Sequence, residues 1–317
     1  MKILVTPTSF GKPENADARK LLESFADEVA YNDLGVPLKG QELLSRLEGA
    51  DGYIAGVDYI TAEVVAAMPE SLKVISRYGA GTDRVDLNAC KKRGITVTNT
   101  PGANATAVCE LAFALMLSSA RNIPELHAAV QEGRWPRSDG MELAGKTLGI
   151  VGLGAIGKKL AIRAAAFEMR VLASDPYLDA AFAKNHGITA MGLDGLLENS
   201  DVISLHVPLT DITRHMINGG SIARMKDGAI IINTARGGLL DEEACAAAIR
   251  SGKLRGLGLD AFEQEPLVDS PLKGLPRVVF TPHTGAHTAE AVRNMGMMAV
   301  QNAIAVLKGE FCPCVIQ

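Results

Sequence analysis

Thr147-Leu148-Gly149-Ile150-Val151-Gly152-Leu153-Gly154-Ala155-Ile156-Gly157 is the stretch that decides the fold. A short β-branched run, too brief for a buried helix, ends in G-x-G-x-x-G and opens a helix from Ala155. In that setting Gly152 permits a tight turn, Gly154 lets the backbone approach a pyrophosphate, and Gly157 lets helix and strand pack closely. The N–H groups of Ala155 and Ile156, at the positive end of the helix dipole, then face an anion. Asp175 closes the next strand pattern, Arg170-Val171-Leu172-Ala173-Ser174, about 20 residues beyond the glycines, where a carboxylate accepts both hydroxyls of an adenosine ribose. It would repel a 2′-phosphate, and Pro176-Tyr177-Leu178 offers no arginine to pair with one. NAD is therefore expected rather than NADP. Taken singly, the glycines also suit a plain tight α/β turn, and Asp175 a solvated strand end.

Working outward, further strand patterns recur near Val202, Ile230 and Gly258. Upstream, Lys2–Thr6, Gly52–Ala55 and Val74–Ser76 read as strands, with helical patterns over Asn15–Ala30 and Ala62–Ala67. Such alternation predicts parallel sheets in an α/β fold with two doubly wound, Rossmann-like units. Ala103–Ala120, closed by Arg121, reads as a long apolar connecting helix; Asn122-Ile123-Pro124 breaks it before another. A last helix, about Thr288–Leu307, follows the second unit's final strand and is expected to pack back on the first.

The 317 residues are 47% hydrophobic and 21% charged, enough to bury a large core. A net charge of −4 with a pI near 5.9 leaves no general positive field for nucleic acid or an anionic membrane. Apolar runs such as Ala112–Leu117 are too short to cross a bilayer, and Met1-Lys2-Ile3-Leu4-Val5 enters a strand at once. A cytoplasmic protein without a targeting segment is expected. Five cysteines, Cys90, Cys109, Cys245, Cys312 and Cys314, fit reduced thiols better than a disulfide framework. Cys312-Pro313-Cys314 has no second ligand pair at zinc-like spacing and reads as a tail, so no metal is expected.

Three segments at the ends of second-unit strands carry chemistry: Asn233-Thr234-Ala235-Arg236-Gly237-Gly238, Gly258-Leu259-Asp260-Ala261-Phe262-Glu263-Gln264-Glu265-Pro266, and Thr281-Pro282-His283-Thr284-Gly285-Ala286. Ligands of doubly wound sheets lie there. Arg236 offers a planar fork that would hold a carboxylate and polarise the neighbouring 2-oxygen. His283 would take a hydroxyl proton as hydride leaves for a nicotinamide. Glu265, bonded to the other ring nitrogen, would fix the tautomer and stabilise the imidazolium. Each also has a blander reading: Arg236 as a surface ion pair, Glu265 as a loop carboxylate, His283 as a satisfied loop histidine. His206, in Ser204-Leu205-His206-Val207-Pro208, ends a strand too and is the rival base.

These segments, with the glycine loop and Arg77-Tyr78-Gly79-Ala80-Gly81-Thr82-Asp83-Arg84-Val85-Asp86, resemble the D-2-hydroxyacid dehydrogenases over nearly the whole chain, most of all their phosphoglycerate dehydrogenase branch. The resemblance implies Arg236, Glu265 and His283 as the catalytic set. It implies cofactor contacts from Ala80, Gly152, Gly154, Ala155, Ile156, Gly157, Asp175, Val207, Thr234, Ala235 and the loop His283, Gly285 and Ala286, with Asp260 accepting from the nicotinamide carboxamide. It also implies a discontinuous substrate domain, residues 1–99 and 287–317, hinged against an NAD-binding domain at 100–286, and closure over a small 2-hydroxy or 2-keto acid. The Gly79-Ala80-Gly81 turn would hold the substrate carboxylate through backbone N–H groups, near Asn104, Arg77 and Tyr78. Arg77 suits a phosphate or second anionic group and equally a plain salt bridge. A homodimer is implied, with Arg137 reaching the neighbouring subunit's site.

Many phosphoglycerate dehydrogenases carry a further C-terminal regulatory domain, whereas this sequence stops at Gln317, so feedback control by serine is not expected. Glyoxylate and hydroxypyruvate reductases of the same family share the whole catalytic set. A corepressor-like NAD-binding protein is a reading from another class, against which the compact ends argue. A Rossmann-type methyltransferase would share the glycine loop but would not need Arg236, Glu265 and His283.

Overall fold

The computed structural model describes residues 1–316. The chain divides into two compact units, Met1–Asn104 with Ala286–Gln317, and Ala105–Gly285.

In the first unit β1 (Lys2–Val5), α1 (Ala16–Phe25), β2 (Glu28–Tyr31), α2 (Gly40–Leu47), β3 (Gly52–Ala55), α3 (Ala62–Ala67), β4 (Val74–Arg77), α4 (Leu87–Lys92) and β5 (Thr96–Thr98) alternate. The sheet is parallel in the order β2-β1-β3-β4-β5, so it is doubly wound. The helical pattern over Asn15–Ala30 is overestimated. The helix stops at Phe25, Ala26 is extended, and Glu28–Tyr31 lies as an edge strand beside Lys2–Val5. Pairing with β1 overrides the helical spacing, as tertiary context commonly does. Leu4, Leu43, Leu47, Tyr53, Val65, Ile75, Ile95 and Val97 fill one core of this unit.

The terminal helix, Ala289–Lys308, belongs to this same unit. Thr288 caps its start by accepting from the Ala291 N–H, and Gly309, at φ 72°, ends it. Its buried positions Val292, Met295, Gly296, Ala299, Val300 and Ala303 recur every three or four residues and form one face. Ser76 on β4 donates to the Ala299 carbonyl at 2.8 Å, and the Tyr78 hydroxyl donates to that of Val292 at 2.9 Å. Beyond the helix, Val315 bridges antiparallel to Thr98, at the edge of the sheet.

The second unit begins with α5 (Ala105–Arg121) and α6 (Ile123–Gln131) and continues through β6 (Thr147–Val151), α7 (Ala155–Ala166), β7 (Arg170–Ser174), α8 (Ala180–Asn185), β8 (Thr189–Ala190), α9 (Leu193–Asn199), β9 (Val202–Leu205), α10 (Gly219–Arg224), β10 (Ala229–Asn233), α11 (Glu242–Ser251), β11 (Leu254–Leu259) and β12 (Val278–Phe280). Its seven parallel strands run β12-β11-β10-β9-β6-β7-β8, so the winding reverses between β6 and β9. Two apolar layers enclose the sheet, one around Leu115, Met116, Leu148, Leu160 and Ile232, the other around Leu205, Ile231, Leu239, Ile249 and Leu257. Ligands of such sheets bind beyond the carboxyl ends of the strands at the reversal. No helix among the described residues is long and apolar enough to cross a membrane.

Candidate active site

The glycine loop leaves β6 and enters α7 at Ala155. Gly152 sits at φ 96°, in the region that favours glycine, and a Cβ there would lie 2.7 Å from the His206 carbonyl oxygen and 3.0 Å from Val207. A Cβ on Gly157 would lie 2.3 Å from the Gly152 oxygen. Gly154 differs, because a Cβ would meet nothing within 4 Å. It caps α7 with no side-chain bond, so the first N–H groups of that helix, including those of Ala155 and Ile156, open onto unfilled space. Asp175, just past β7, accepts from Leu153 N and from Tyr177 N, each at 2.7 Å. That grip ties the carboxylate to the glycine loop itself.

Two buried polar atoms at neighbouring strand ends lack protein partners: Thr234 Oγ1 after β10 and His206 Nδ1 after β9. Buried polar groups are almost always satisfied, so each is available to a polar partner at the carboxyl end of the sheet. With the open helix N-terminus and the Asp175 carboxylate, this donor and acceptor set fits a dinucleotide. The Ala235 N–H donates to Asn233 Oδ1 at 3.0 Å, which fixes the turn just after β10.

Arg236, Glu265 and His283 come from three loops at the same end of the sheet. The Arg236 carbonyl accepts from Asn233 Nδ2 at 2.8 Å, and its Nη1 donates to the Ala235 carbonyl at 2.8 Å. His283 stands at φ 52°, unusual for a side chain of its size, with its N–H bonded to the Thr281 carbonyl at 3.0 Å. Its Nδ1 lies 2.8 Å from Glu265 Oε1, with side-chain exposures of 46% and 24%. A carboxylate on Nδ1 holds the proton there and leaves Nε2 as the basic nitrogen. Glu265 Oε1 also accepts from Phe262 N at 3.2 Å.

Asp260 is fastened to the loop that carries His283. It is 1% exposed, and its oxygens are taken up by the loop that carries His283: Oδ1 accepts from Thr281 Oγ1 at 2.6 Å and Thr284 N at 2.8 Å, Oδ2 from Gly285 N at 2.8 Å. A carboxylate accepting these bonds inside the protein braces the His283 loop. His206 is a poor rival base. Burial pushes its pKa down to about 4, and its Nε2 is bonded to Ser204 Oγ at 2.8 Å. A second histidine–carboxylate contact, His215 Nε2 with Glu263 Oε1 at 2.5 Å, has no local signature in the sequence, its partners standing 48 residues apart.

In the first unit, Gly79 sits at φ 143°, and a Cβ there would lie 2.9 Å from Arg77 Nη1, so the guanidinium packs directly on the turn. The Gly79 N–H bonds to the Arg77 carbonyl at 3.0 Å, which leaves the N–H groups of Ala80 and Gly81 as the open donors. The Tyr78 side chain is buried, with its hydroxyl among Val292, Ser9 and Asn15; it tethers the terminal helix and can face a substrate only through its backbone. Asn104 is half-buried just before α5, and Ala286 is half-buried in the turn leading to the terminal helix. Arg137 is exposed in an irregular stretch after α6.

Residues 113–285 match the family model described as D-isomer specific 2-hydroxyacid dehydrogenase, NAD binding domain. The D-3-phosphoglycerate dehydrogenase of Methanocaldococcus jannaschii is 42% identical, the match covering 100% of this chain and 59% of that protein. The chain thus spans between about half and three-fifths of the length of the curated phosphoglycerate dehydrogenases it matches. The hydroxypyruvate reductase of Thermotoga maritima is 49% identical, over 76% of this chain and 79% of that one. Among solved structures, the D-lactate dehydrogenase of Aquifex aeolicus, complexed with NAD and lactic acid, superposes with a TM-score of 0.83 at 32% identity, covering 97% of this chain and 96% of that one. With the glycine loop, Asp175 and the Glu265–His283 contact in one sheet, these matches mean that the chain belongs to the D-isomer specific 2-hydroxyacid dehydrogenase family, with NAD as the cofactor of its second unit.

Proposed function

We propose that this chain is an NAD-dependent oxidoreductase acting at carbon 2 of a small D-2-hydroxy acid, with 3-phosphoglycerate as its leading substrate. The observation that carries the reading is the 2.8 Å contact of His283 Nδ1 with Glu265 Oε1, beside Arg236 and on the sheet that bears the glycine loop. Bound NAD supplies the acceptor or donor of hydride. Ala155 and Ile156 N–H groups hold its pyrophosphate, Asp175 its adenosine ribose, and Thr234 Oγ1 and His206 Nδ1 offer further polar contacts. Arg236 pairs with the substrate carboxylate and draws charge from the 2-oxygen. His283 Nε2 takes the hydroxyl proton during oxidation and returns it during reduction, while Glu265 fixes the tautomer and offsets the imidazolium charge. Within unit 1, the Ala80 and Gly81 N–H groups and Arg77 are of a chemistry suited to an acid's anionic groups.

A reductase of hydroxypyruvate or glyoxylate is the second reading, favoured by the 49% identity to the Thermotoga maritima hydroxypyruvate reductase. The homodimer reading rests on Trp135, 84% exposed beside Arg137, with Ile123 and Val130 exposed on α6. The cytoplasmic reading rests on five free thiols, which suit a reducing compartment. Turnover on a panel of 3-phosphoglycerate, D-lactate, D-glycerate, hydroxypyruvate and glyoxylate with NAD(H) tests the function. His283→Ala should lower the rate about 10²–10⁴-fold while NAD still binds. No turnover on any of these acids by the wild type, or full activity in that variant, would refute the reading.

A further inference from the structure

We propose that His215 is a positioning residue for the Glu265–His283 couple, acting through Glu263; the proposal rests on the catalytic reading above. His215 lies between β9 and α10 at φ 48°, and it and His283 are two of the five non-glycine residues with positive φ among those described. That backbone conformation disfavours a side chain of this size, so it persists only where neighbours hold it. Here the His215 N–H donates to the Gly238 carbonyl at 2.8 Å and its own carbonyl accepts from Asn218 Nδ2 at 2.8 Å. Both ties aim the ring at Glu263, where Nε2 meets Oε1 at 2.5 Å.

Glu263 stands two residues before Glu265, in a segment gripped from several directions. Its N–H faces Glu242 Oε1 at 3.4 Å, and the other Glu242 oxygen accepts from Ser270 Oγ at 2.6 Å. On another side the segment touches Gly237, where a Cβ would lie 1.8 Å from the Phe262 carbonyl carbon and 2.2 Å from Glu263 N. Phe262 in turn donates to the same Glu265 oxygen that meets His283. The direction of Glu265, and through it the tautomer and orientation of His283, therefore follows the placement of Phe262–Glu265. A surface contact of this exposure, 43% and 41%, adds little to stability. Breaking it should act on the aim of the loop and hardly on folding.

The test compares His215→Asn, Glu263→Ala and Glu263→Gln with the wild type, using hydroxypyruvate and NADH as probes. Asparagine tolerates positive φ but is too short to reach Glu263, whereas glutamine at 263 still accepts from a neutral ring N–H. His215→Asn and Glu263→Ala should each lower kcat about 10-fold, within the range that a displacement of up to 1 Å produces. KM for both substrates and the NADH Kd should stay within about 2-fold, and Tm within about 2 °C. Glu263→Gln should retain most of the activity, and the His215→Asn/Glu263→Ala double variant should be no worse than either single one. Wild-type kcat in His215→Asn, a parallel loss of NADH affinity, or a Glu263→Gln as impaired as Glu263→Ala would overturn the proposal. His283→Ala, assayed alongside, separates the two levels: if it stays active the catalytic reading has failed, and if it is inactive while His215→Asn is normal, this inference alone has failed.

Discussion

Gly237→Ala is the substitution for which the structure gives the largest effect from the smallest chemical change. A Cβ at this position would lie 1.8 Å from the Phe262 carbonyl carbon, 2.2 Å from Glu263 N and 2.3 Å from the Phe262 oxygen, all of them backbone atoms. No rotamer relieves such contacts, and reaching even the 3.0 Å limit of real Cβ contacts requires one backbone to move by more than 1 Å. One backbone carries Arg236 immediately before Gly237; the other leads to Glu265 through the Phe262 N–H bond. A relative shift of about 1 Å between anion clamp and acid–base couple costs up to about 10²-fold in rate. The overpacking itself costs about 1–3 kcal/mol of stability. Gly154→Ala is the matched control, because a Cβ there meets nothing within 4 Å and the residue's φ is −76°. It should leave stability unchanged or slightly raised while weakening NADH binding, since the added methyl occupies the ground a pyrophosphate needs. Steady-state kinetics with hydroxypyruvate, NADH fluorescence titration and calorimetry read these outcomes. A Gly237→Ala protein with wild-type kcat and stability would refute the steric reasoning.

Asp175→Ala should raise the NAD KM about 10–100-fold, the scale of losing a charged hydrogen-bond acceptor, and relax the preference over NADP; a wild type equally efficient with both cofactors would remove the argument. His206 should make the fold sensitive to mild acid, because burial pushes its folded pKa down to about 4, below the ordinary 6.5. The unfolded chain then binds more protons across that window, so stability is lost as pH falls from about 6.5 toward 4, by at most about 3 kcal/mol. In His206→Gln the drop in Tm between pH 7 and pH 4.5 should be smaller, and an equal drop would exclude His206 as its source. Thiol titration at pH 8 should find one accessible group, Cys314, since Cys90, Cys109, Cys245 and Cys312 are buried, and burial pushes Cys90 up to about 11 and Cys245 up to about 12; two or more rapidly labelled thiols would contradict this.

What could be read in advance follows from how local each cause is. The turn at Gly152–Gly157 was legible because glycine's freedom at φ 96° and the close approach at Gly157 are fixed by a few consecutive residues. The terminal helix was legible from its Thr288 cap and apolar spacing. Strand β2 was not, since Glu28–Tyr31 follows α1 with no glycine or proline between them, and its partner, β1, lies more than 20 residues earlier. The blunted role of Tyr78 was hidden in the same way, because the carbonyl it binds, on Val292, is 214 residues away.

Asp260, Glu263 and Glu265 show where chemistry and sequence part company within one short segment. As residue types they are nearly interchangeable, and their spacing does not say which of them meets a histidine. Solvent access and partners do. Asp260, 1% exposed at the exit of β11, is enclosed by donors of the Thr281–Gly285 loop and so braces it. Glu263, 41% exposed, reaches outward to His215. Glu265, at 24%, lies between these extremes, shielded enough for its charge to act on His283 and open enough for that ring to meet a substrate. The carboxylate suited to orient a base is thus the one of intermediate burial. Each of the other two is fixed to a neighbouring element, and the middle position of Glu265 depends on both attachments holding.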